Sequence, residues 1–296
     1  MIGQELGIRR IDTLYIQLLY RCNFSCGHCF HGEKLQDPST IGREDVREVM
    51  DHFRENYATS HVVLLGGEPF LHPDLHDTLQ YARENGMTTE ICTNGHRFTQ
   101  AKIRSMSQNI DDLRVSIDGL EDVHDRLRRR GSFRHALETV QISAREGIRT
   151  GVTSTVTSEN IREIPELART AAENGATLMK LHQLRAVGNA AGRPGLVCDD
   201  LGLLESLVAW ARETEIIQVA FDDDLDPSKT VGCAPRGASS IDRIEMDPEF
   251  GLTMSCKAVG TGAQAFRWSR VNNNVVRVSN DRNEVVLGIP DVRYEN

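Results

Sequence analysis

Short apolar runs typical of β-strands alternate with longer helical stretches along the chain from Leu14 to Phe221. Helical crossovers of about ten or more residues join parallel strands, whereas antiparallel strands need only a tight turn. About six or seven such units fit a full or partial barrel, and we predict an α/β fold with a partial (β/α)6 TIM-like barrel. The predicted strands are Leu14–Tyr20, His61–Leu65, Thr88–Cys92, Leu113–Ile117, Gly151–Val156, Leu178–Gln183 and Ile216–Phe221, and the predicted helices are Arg43–Tyr57, Pro73–Asn85, Phe133–Glu146, Ile161–Asn174 and Leu201–Glu213.

The alternation ends near Lys229, where turn-rich sequence with short β-like runs begins. These runs are Arg243–Met246, Asn274–Ser279 and Glu284–Leu287. We therefore predict a barrel domain over residues 1–228 and a small, mostly β appendage over residues 229–296.

Composition excludes several classes of protein. Hydrophobic residues make up 39% of the chain and charged residues 26%, which is an ordinary globular balance. No apolar run reaches the roughly 18 to 20 residues of a membrane span, and the N-terminus lacks the apolar core of a signal peptide, so we predict a cytoplasmic protein without a membrane partner. The 34 basic and 43 acidic residues give a net charge of −9, which disfavours nucleic-acid binding.

Three of the seven cysteines lie close together directly after the first predicted strand. Cys22, Cys26 and Cys29 fall within one short loop, and an odd total makes a disulfide framework improbable. Three thiolates can hold three irons of a [4Fe–4S] cluster and leave the fourth iron open to a small chelating molecule. A zinc site with His28 or His31 as fourth ligand is the alternative, although structural zinc sites usually pair two ligand doublets.

Further polar or glycine-rich segments follow other predicted strands, at the rim where barrel enzymes carry their chemistry. After the second strand comes Gly66-Gly67-Glu68-Pro69, in which the glycines allow close backbone approach and Glu68 can accept hydrogen bonds from an ammonium group. Thr93-Asn94-Gly95 follows the third strand, and Ser116-Ile117-Asp118-Gly119 ends the fourth. Local turn or capping roles are the alternative for Thr93 and Ser116.

These motifs in this order resemble those of the radical S-adenosylmethionine (SAM) superfamily. Its loop pattern Cys-x3-Cys-x2-Cys is present here, with His28 before the last cysteine, and its Gly-Gly-Glu-Pro segment is also present. The run from Leu181 to Gly188 and the residue Asn160 are similar to a pattern near the sixth strand of the family. The resemblance implies that the three cysteines carry a [4Fe–4S] cluster and that SAM contacts the following residues: His28, Gly66, Gly67, Glu68, Pro69, Thr93, Asn94, Ser116, Asp118 and Arg128.

The resemblance also implies a reaction. An external one-electron reductant of the flavodoxin or ferredoxin type reduces the cluster, SAM is cleaved, and a 5′-deoxyadenosyl radical removes hydrogen from an unactivated C–H bond. The protein then has to hold the target carbon close to the radical and exclude water.

The C-terminal region resembles the front of a twitch domain. Cys233 is followed by Gly251-x4-Cys256, but the two further cysteines that complete an auxiliary cluster are missing. A second iron–sulfur cluster would have to use Cys198, Cys233 and Cys256. Because the chain has too few cysteines to complete a second cluster, we predict instead that Cys256 acts as a thiol hydrogen donor in an epimerase.

The expected substrate is small and cationic. Only 21 residues precede Cys22, which argues against an N-terminal peptide-recognition domain, and the carboxylates of Asp222-Asp223-Asp224 and Asp226 are suited to a polyamine. We predict an aminoglycoside epimerase of the neomycin type, acting in antibiotic biosynthesis. The alternatives are a dehydrogenase of the same substrates, a peptide maturase or peptide epimerase, and a non-enzymatic zinc or iron–sulfur regulatory module.

Overall fold

The computed structural model describes residues 8–97, 99–221, 239–253, 266–271 and 273–277. The chain forms two compact units. One comprises Met1–Tyr20, Pro38–Thr89 and Gly232–Asn296, and the other comprises Arg21–Asp37 and Glu90–Val231. The predicted domain boundary after residue 228 lies outside the described residues and stays a prediction.

The first unit is built on parallel strands that continue into antiparallel ones. Strand β1 (Arg10–Gln17) pairs in parallel with β2 (His61–Leu65) on one side and with β8 (Ser240–Met246) on the other. Antiparallel pairs then join β8 to β9 (Gly251–Thr253), β9 to β10 (Phe266–Ser269) and β10 to β11 (Asn274–Arg277).

Helices α1 (Arg43–Tyr57) and α2 (Leu75–Glu84) belong to the same unit. Helix α1 has a stripe of fully buried side chains at helical spacing, Val46, Val49 and Phe53, and it packs against β1. Burial of this stripe, rather than intrinsic propensity, supplies most of the stability of such a helix.

The second unit is an α/β layer of parallel strands. Residues 90–93 of β3 (Thr88–Thr93) begin a parallel series that continues through β4 (Asp112–Ser116), β5 (Arg149–Val156), β6 (Leu178–Gln183) and β7 (Gln218–Phe221). The strands alternate between a buried apolar face and a face that carries polar residues such as Arg114 and Lys180, and the fully buried residues include Leu113, Val115, Val152, Met179 and Leu181. Between the strands lie α3 (Thr99–Met106), α4 (Glu121–Leu127), α5 (Ser132–Arg145), α6 (Ile164–Glu173) and α7 (Leu201–Glu213).

The predicted strands and helices are confirmed, most with shifts of one to three residues at their ends. The first strand begins at Arg10, earlier than predicted, and leaves the ladder after Gln17. Helix α6 begins at Ile164 because Pro165 suits the first turn of a helix. The short helices α3 and α4 were not predicted, and the run Glu284–Leu287 lies outside the described residues.

Candidate active site

The cysteine loop lies in the second unit and shields its sulfurs unevenly. Cys26 is 8% exposed, while Cys22 and Cys29 are partly buried. The backbone N–H of Phe24 donates to Cys22 Sγ at 3.4 Å, and the side-chain amide of Asn94 donates to the same sulfur at 3.7 Å. Cys22 therefore already receives two N–H donors, which stabilise negative charge on sulfur.

Burial and nearby positive groups act in opposite directions on the other two thiols. Burial raises the pKa of Cys26 to about 11, and the charge of Arg128 opposes that rise. Burial also raises the pKa of Cys29, and the backbone N–H groups of His31 and Gly32 oppose it. Burial therefore disfavours a free thiolate at these positions. A sulfur that shares its negative charge with a bound metal is stabilised by the N–H donors and the cation around it.

Segments far along the chain hold the loop in place. Gly27 donates its N–H to the carbonyl oxygen of Leu127 at 2.8 Å. Asn189 donates its backbone N–H to Cys29 O at 2.9 Å and its side-chain amide to Cys26 O at 2.8 Å. The backbone carbonyls of two of the cysteines are therefore fixed by one asparagine that follows β6.

Gly188 lets that asparagine approach. Its φ is +57°, and a Cβ at this position would collide with the carbonyl oxygens of Cys29 and Phe30. Only glycine fits such a left-handed conformation against a backbone. The run from Leu181 to Gly188, singled out by the sequence, thus ends against the cysteine loop.

A buried charge network lies beside the loop. Asp118 is fully buried and its Oδ2 accepts from Arg128 Nε at 2.5 Å and lies 3.0 Å from His28 Nε2. The backbone N–H of Thr155 donates to Asp118 Oδ1 at 2.7 Å. Burial alone would raise the pKa of Asp118, but the charges of Arg128 and His28 outweigh it and hold that pKa well below its usual range.

Two residues predicted to contact SAM, Arg128 and His28, therefore both contact a third, Asp118. Burial would lower the pKa of Arg128, but the Asp118 carboxylate raises it. Both members of the Arg128–Asp118 pair are therefore charged. The side chains of Arg128 and His28 are 10% and 7% exposed.

The turns after β3 and β4 hold the other predicted residues of this unit. Thr93 Oγ1 accepts from the backbone N–H of Gly95 at 3.2 Å, which is the local turn role. The Asn94 side chain donates to Asn23 Oδ1 at 2.8 Å, next to Cys22 in sequence. Ser116 ends β4 and is partly buried.

In the first unit, the glycine-rich segment follows β2 at the strand end. Gly66 has a φ of +133°, and a Cβ there would collide with the carbonyl oxygen of Leu19. Gly67 donates its N–H to the same oxygen at 2.8 Å. The two glycines thus let this turn lie directly on the chain that leaves β1.

The remaining residues of that segment form a short buried turn. Glu68 is fully buried, and its Oε1 accepts from the backbone N–H of Phe70 at 3.2 Å. Pro69 is buried and begins a 3-10 helix of one turn, Pro69–Leu71. The Glu68 carboxylate is thereby fixed by the backbone that follows it.

A buried polar pair in the first unit was not predicted. Gln17 ends β1 and is fully buried, and its Nε2 donates to Glu245 Oε1 of β8, a residue that is 4% exposed. Among the described residues, Gln17 Oε1 is buried without a hydrogen-bond partner. The available sequence signal was a polar residue near the end of a predicted parallel strand, since such strands are normally apolar.

A cluster and a single metal ion place different demands on their ligands. Within the described part of the chain, no three His, Cys, Asp or Glu side chains are grouped so that they could hold one ion, as the zinc alternative requires. In a [4Fe–4S] cluster each cysteine binds a different iron, so the sulfurs need not converge on one point. Three thiols with N–H donors and a cation nearby fit such a cluster.

Several predicted residues lie outside the described residues, namely Cys233, Cys256, Asp222, Asp223, Asp224 and Asp226. Cys198 belongs to the second unit and is 3% exposed. The second cluster and the thiol hydrogen donor stay predictions. Among the helices of the described residues, none is long and apolar enough to cross a membrane.

Known proteins are similar in sequence to somewhat less than two thirds of this chain and in fold to most of it. The mycofactocin maturase MftC of Mycobacterium tuberculosis (strain CDC 1551 / Oshkosh) is 30% identical over 187 residues, which are 62% of this chain and 47% of that protein. The Fe-coproporphyrin III synthase of Methanosarcina barkeri is 28% identical over 189 residues, covering 63% and 46%. The chain therefore spans about half the length of the curated relatives it matches.

A solved structure shows the same fold. Streptococcus suis SuiB bound to the precursor peptide SuiA superposes with a TM-score of 0.69 at 18% identity, covering 88% of this chain and 63% of SuiB. The predicted fold class is thereby confirmed: the α/β fold of a partial (β/α)6 TIM-like barrel with a small, mostly β C-terminal region. The family model of the radical SAM superfamily matches residues 16–171. The chain therefore belongs to the radical SAM superfamily, and its cofactors are a [4Fe–4S] cluster and S-adenosylmethionine.

Proposed function

We propose that this radical SAM enzyme modifies a peptide, with Cys22, Cys26 and Cys29 as the ligands of its cluster. The observation that carries the site assignment is the cysteine loop itself, whose sulfurs lie among backbone N–H donors and beside Arg128. The cluster and SAM, when bound, supply a 5′-deoxyadenosyl radical that abstracts hydrogen from carbon. The residues of this chain bind, orient and shield those groups.

The loop needs rigidity, because three sulfurs must keep the spacing of one cubane. Asn189 supplies it from the segment after β6 through hydrogen bonds to the carbonyls of Cys26 and Cys29, and Gly188 allows the close approach. Asp118 and Arg128 add a fixed cation beside those thiols. We propose that these two residues position the loop and its charge, and that His28 does so through Asp118.

Glu68 is our candidate for the SAM amino group. Its carboxylate is fully buried at the turn after β2, the backbone N–H of Phe70 holds it there, and a carboxylate is a strong acceptor for an ammonium group. Thr93, Asn94 and Ser116 remain predicted contacts at the ends of β3 and β4.

The relatives support a peptide substrate over the small cationic molecule. MftC is described as a maturase, and SuiB was crystallised with a precursor peptide. Neither an epimerase nor an aminoglycoside is named among the proteins compared above, so that finer prediction has no support from them. We propose that Gln17 and Glu245, buried at the ends of β1 and β8, bind a polar group of the peptide.

Anaerobic reconstitution tests the chemistry. We expect about four irons per chain, an electron paramagnetic resonance signal after dithionite reduction that changes when SAM is added, and reductive cleavage of SAM. Serine at all three loop cysteines must abolish all three observations. Tightly bound zinc with no SAM cleavage would overturn the assignment.

The substrate class needs a separate assay. Short peptides encoded beside the gene are incubated with the reduced enzyme and SAM, with neomycin as the competing small molecule. A mass change or a new chiral centre in a peptide is expected. Modification of neomycin, with every peptide unchanged, would restore the epimerase prediction and refute the peptide.

A further inference from the structure

One side of the cysteine loop is covered by an aromatic ring and a guanidinium group. Phe24, two residues after Cys22, is 5% exposed. The Arg129 guanidinium carbon lies 5.5 Å from the centre of its ring, and Arg129 Nη1 donates to the carbonyl oxygen of Asn23 at 3.2 Å. An exposed cation therefore rests directly on the residues that follow the first cysteine.

Two histidines and a second arginine extend this covering. The His96 ring meets Phe24 edge-on at 5.8 Å and lies 5.9 Å from the ring of His135. Arg97 follows His96 and is exposed, as is Arg129. We call Phe24, His96, Arg97, Arg129 and His135 the basic patch.

The field in this region is positive. Partial burial lowers the pKa of His96, and the charged groups that lower it further are Arg129, His135 and Arg97, all basic. Among the described residues, no carboxylate forms a salt bridge with Arg97 or Arg129.

Some other exposed arginines of the same unit are paired with carboxylates. Arg126 pairs with Glu159 at 2.7 Å and Arg134 with Glu121 at 2.8 Å. Arg97 and Arg129 thus place two exposed positive charges, without a salt bridge to any described residue, beside the cysteine loop, on a chain whose net charge is −9.

We propose that the basic patch docks an acidic one-electron donor protein of the flavodoxin type, which reduces the cluster held by the cysteine loop. The inference rests on the proposed function, since it requires a cluster at Cys22. The donor loses one electron as its anionic flavin hydroquinone becomes the neutral semiquinone. The cluster gains that electron in passing from the 2+ to the 1+ state, and no proton has to move.

The charge of the patch suits such a partner. Electron-transfer complexes are short-lived and small, below about 1,200 Å², and are steered by opposite charges rather than by deep grooves. A cation that touches Asn23 and Phe24 brings the partner to the loop itself. Docking of such a partner does not require a cavity on this side of the loop.

The test compares two reductants on the reconstituted holoenzyme. Stopped-flow absorbance follows cluster reduction by a bacterial flavodoxin hydroquinone and, separately, by Ti(III) citrate. For the unchanged protein we expect flavodoxin reduction to slow steeply as salt is raised. Arg129→Glu and Arg97→Glu together should slow it by about tenfold or more at low salt and flatten the salt dependence. Ti(III) citrate should reduce both proteins equally.

A matched control carries the same change of charge elsewhere. Arg145 ends α5, the helix that contains His135, and lies about 15 Å further along it. Arg145→Glu should retain the flavodoxin rate, and Arg129→Lys should retain most of it. Arg97→Glu alone serves as the second variant, because Arg97 makes no hydrogen bond to the loop and its change leaves loop folding intact.

Two outcomes overturn the inference. Equal flavodoxin rates for the unchanged protein and the Arg97→Glu/Arg129→Glu variant, with equal salt dependence, show that the partner docks elsewhere. A failure of Ti(III) citrate to reduce any cluster in the unchanged protein refutes the proposed function instead, and the inference falls with it. Iron content and the signal after chemical reduction confirm that both variants are loaded alike.

Discussion

Replacing Arg128 by methionine should destabilise the second unit strongly, because it leaves a buried carboxylate without its main countercharge. Asp118 is fully buried and the Arg128 side chain is 10% exposed. Removing one partner of a buried ion pair costs about 3 to 5 kcal/mol. His28 and the N–H of Thr155 still contact Asp118, so we expect the lower value, about 3 kcal/mol.

Urea unfolding, followed by circular dichroism, measures this loss. With a slope of about 3 kcal/mol per molar urea, the midpoint should fall by about 1 M. Arg126→Met is the matched control, since Arg126 pairs with Glu159 at the surface and should lose less than about 1 kcal/mol. Asp118→Asn added to Arg128→Met removes the unpaired charge and should recover part of the loss.

The pH dependence gives an independent check. In the unchanged protein the pKa of Asp118 is depressed, so its contribution is present above the ordinary value of 3.8 and is lost only as the pH falls below it. Without Arg128, burial dominates and raises the pKa of Asp118. The deficit of Arg128→Met should therefore shrink between pH 7 and pH 5. A midpoint that matches the Arg126→Met control, or a deficit independent of pH, would refute this reasoning.

Three further predictions concern the loop, the buried polar pair and acid stability. Gly188→Ala should reduce iron content after reconstitution, because its Cβ would meet the carbonyls of Cys29 and Phe30, whereas Gly192→Ala, with open space around it, should load fully. Glu245→Gln should retain reductive SAM cleavage with dithionite but lose at least about tenfold in kcat/KM for the peptide, and an unchanged kcat/KM would remove the pair from substrate binding. Burial, aided by Arg128, lowers the pKa of His124 to about 3, so the neutral ring stabilises the fold fully above pH 6.5 and progressively less as the pH falls towards 3. Urea midpoints at pH 7 and pH 5 should therefore differ less for His124→Gln than for the unchanged protein, and an equal difference would contradict this assignment.

The sequence predicts well what depends on local pattern. The apolar run Val62–Leu64 and the alternating apolar residues Leu113 and Val115 become buried strand positions, and the turn signals Gly66 and Gly95 follow strand ends with positive φ. Helix α4 was missed because its seven residues are mostly polar and too few for a clear periodicity.

Contacts between distant residues are what local pattern cannot supply. Gln17 and Glu245 are 228 positions apart, and only the parallel pairing of β1 with β8 brings them together. The strand predicted at Arg243–Met246 therefore has a parallel neighbour, β1, on one side and an antiparallel neighbour, β9, on the other.

The cysteine loop shows why a motif alone underdetermines a site. Cys22, Cys26 and Cys29 lie close together in sequence, but the geometry of the loop depends on Leu127 and Asn189. Each of these two residues forms hydrogen bonds with the backbone of the loop. Both residues follow parallel strands of the second unit, so the sheet register fixes where they meet the loop. A chain that kept the three cysteines but shifted β6 by one residue would reverse the side-chain direction along that strand and lose the Asn189 contacts. Cluster retention should therefore depend as strongly on the segment after β6 as on the residues between the cysteines.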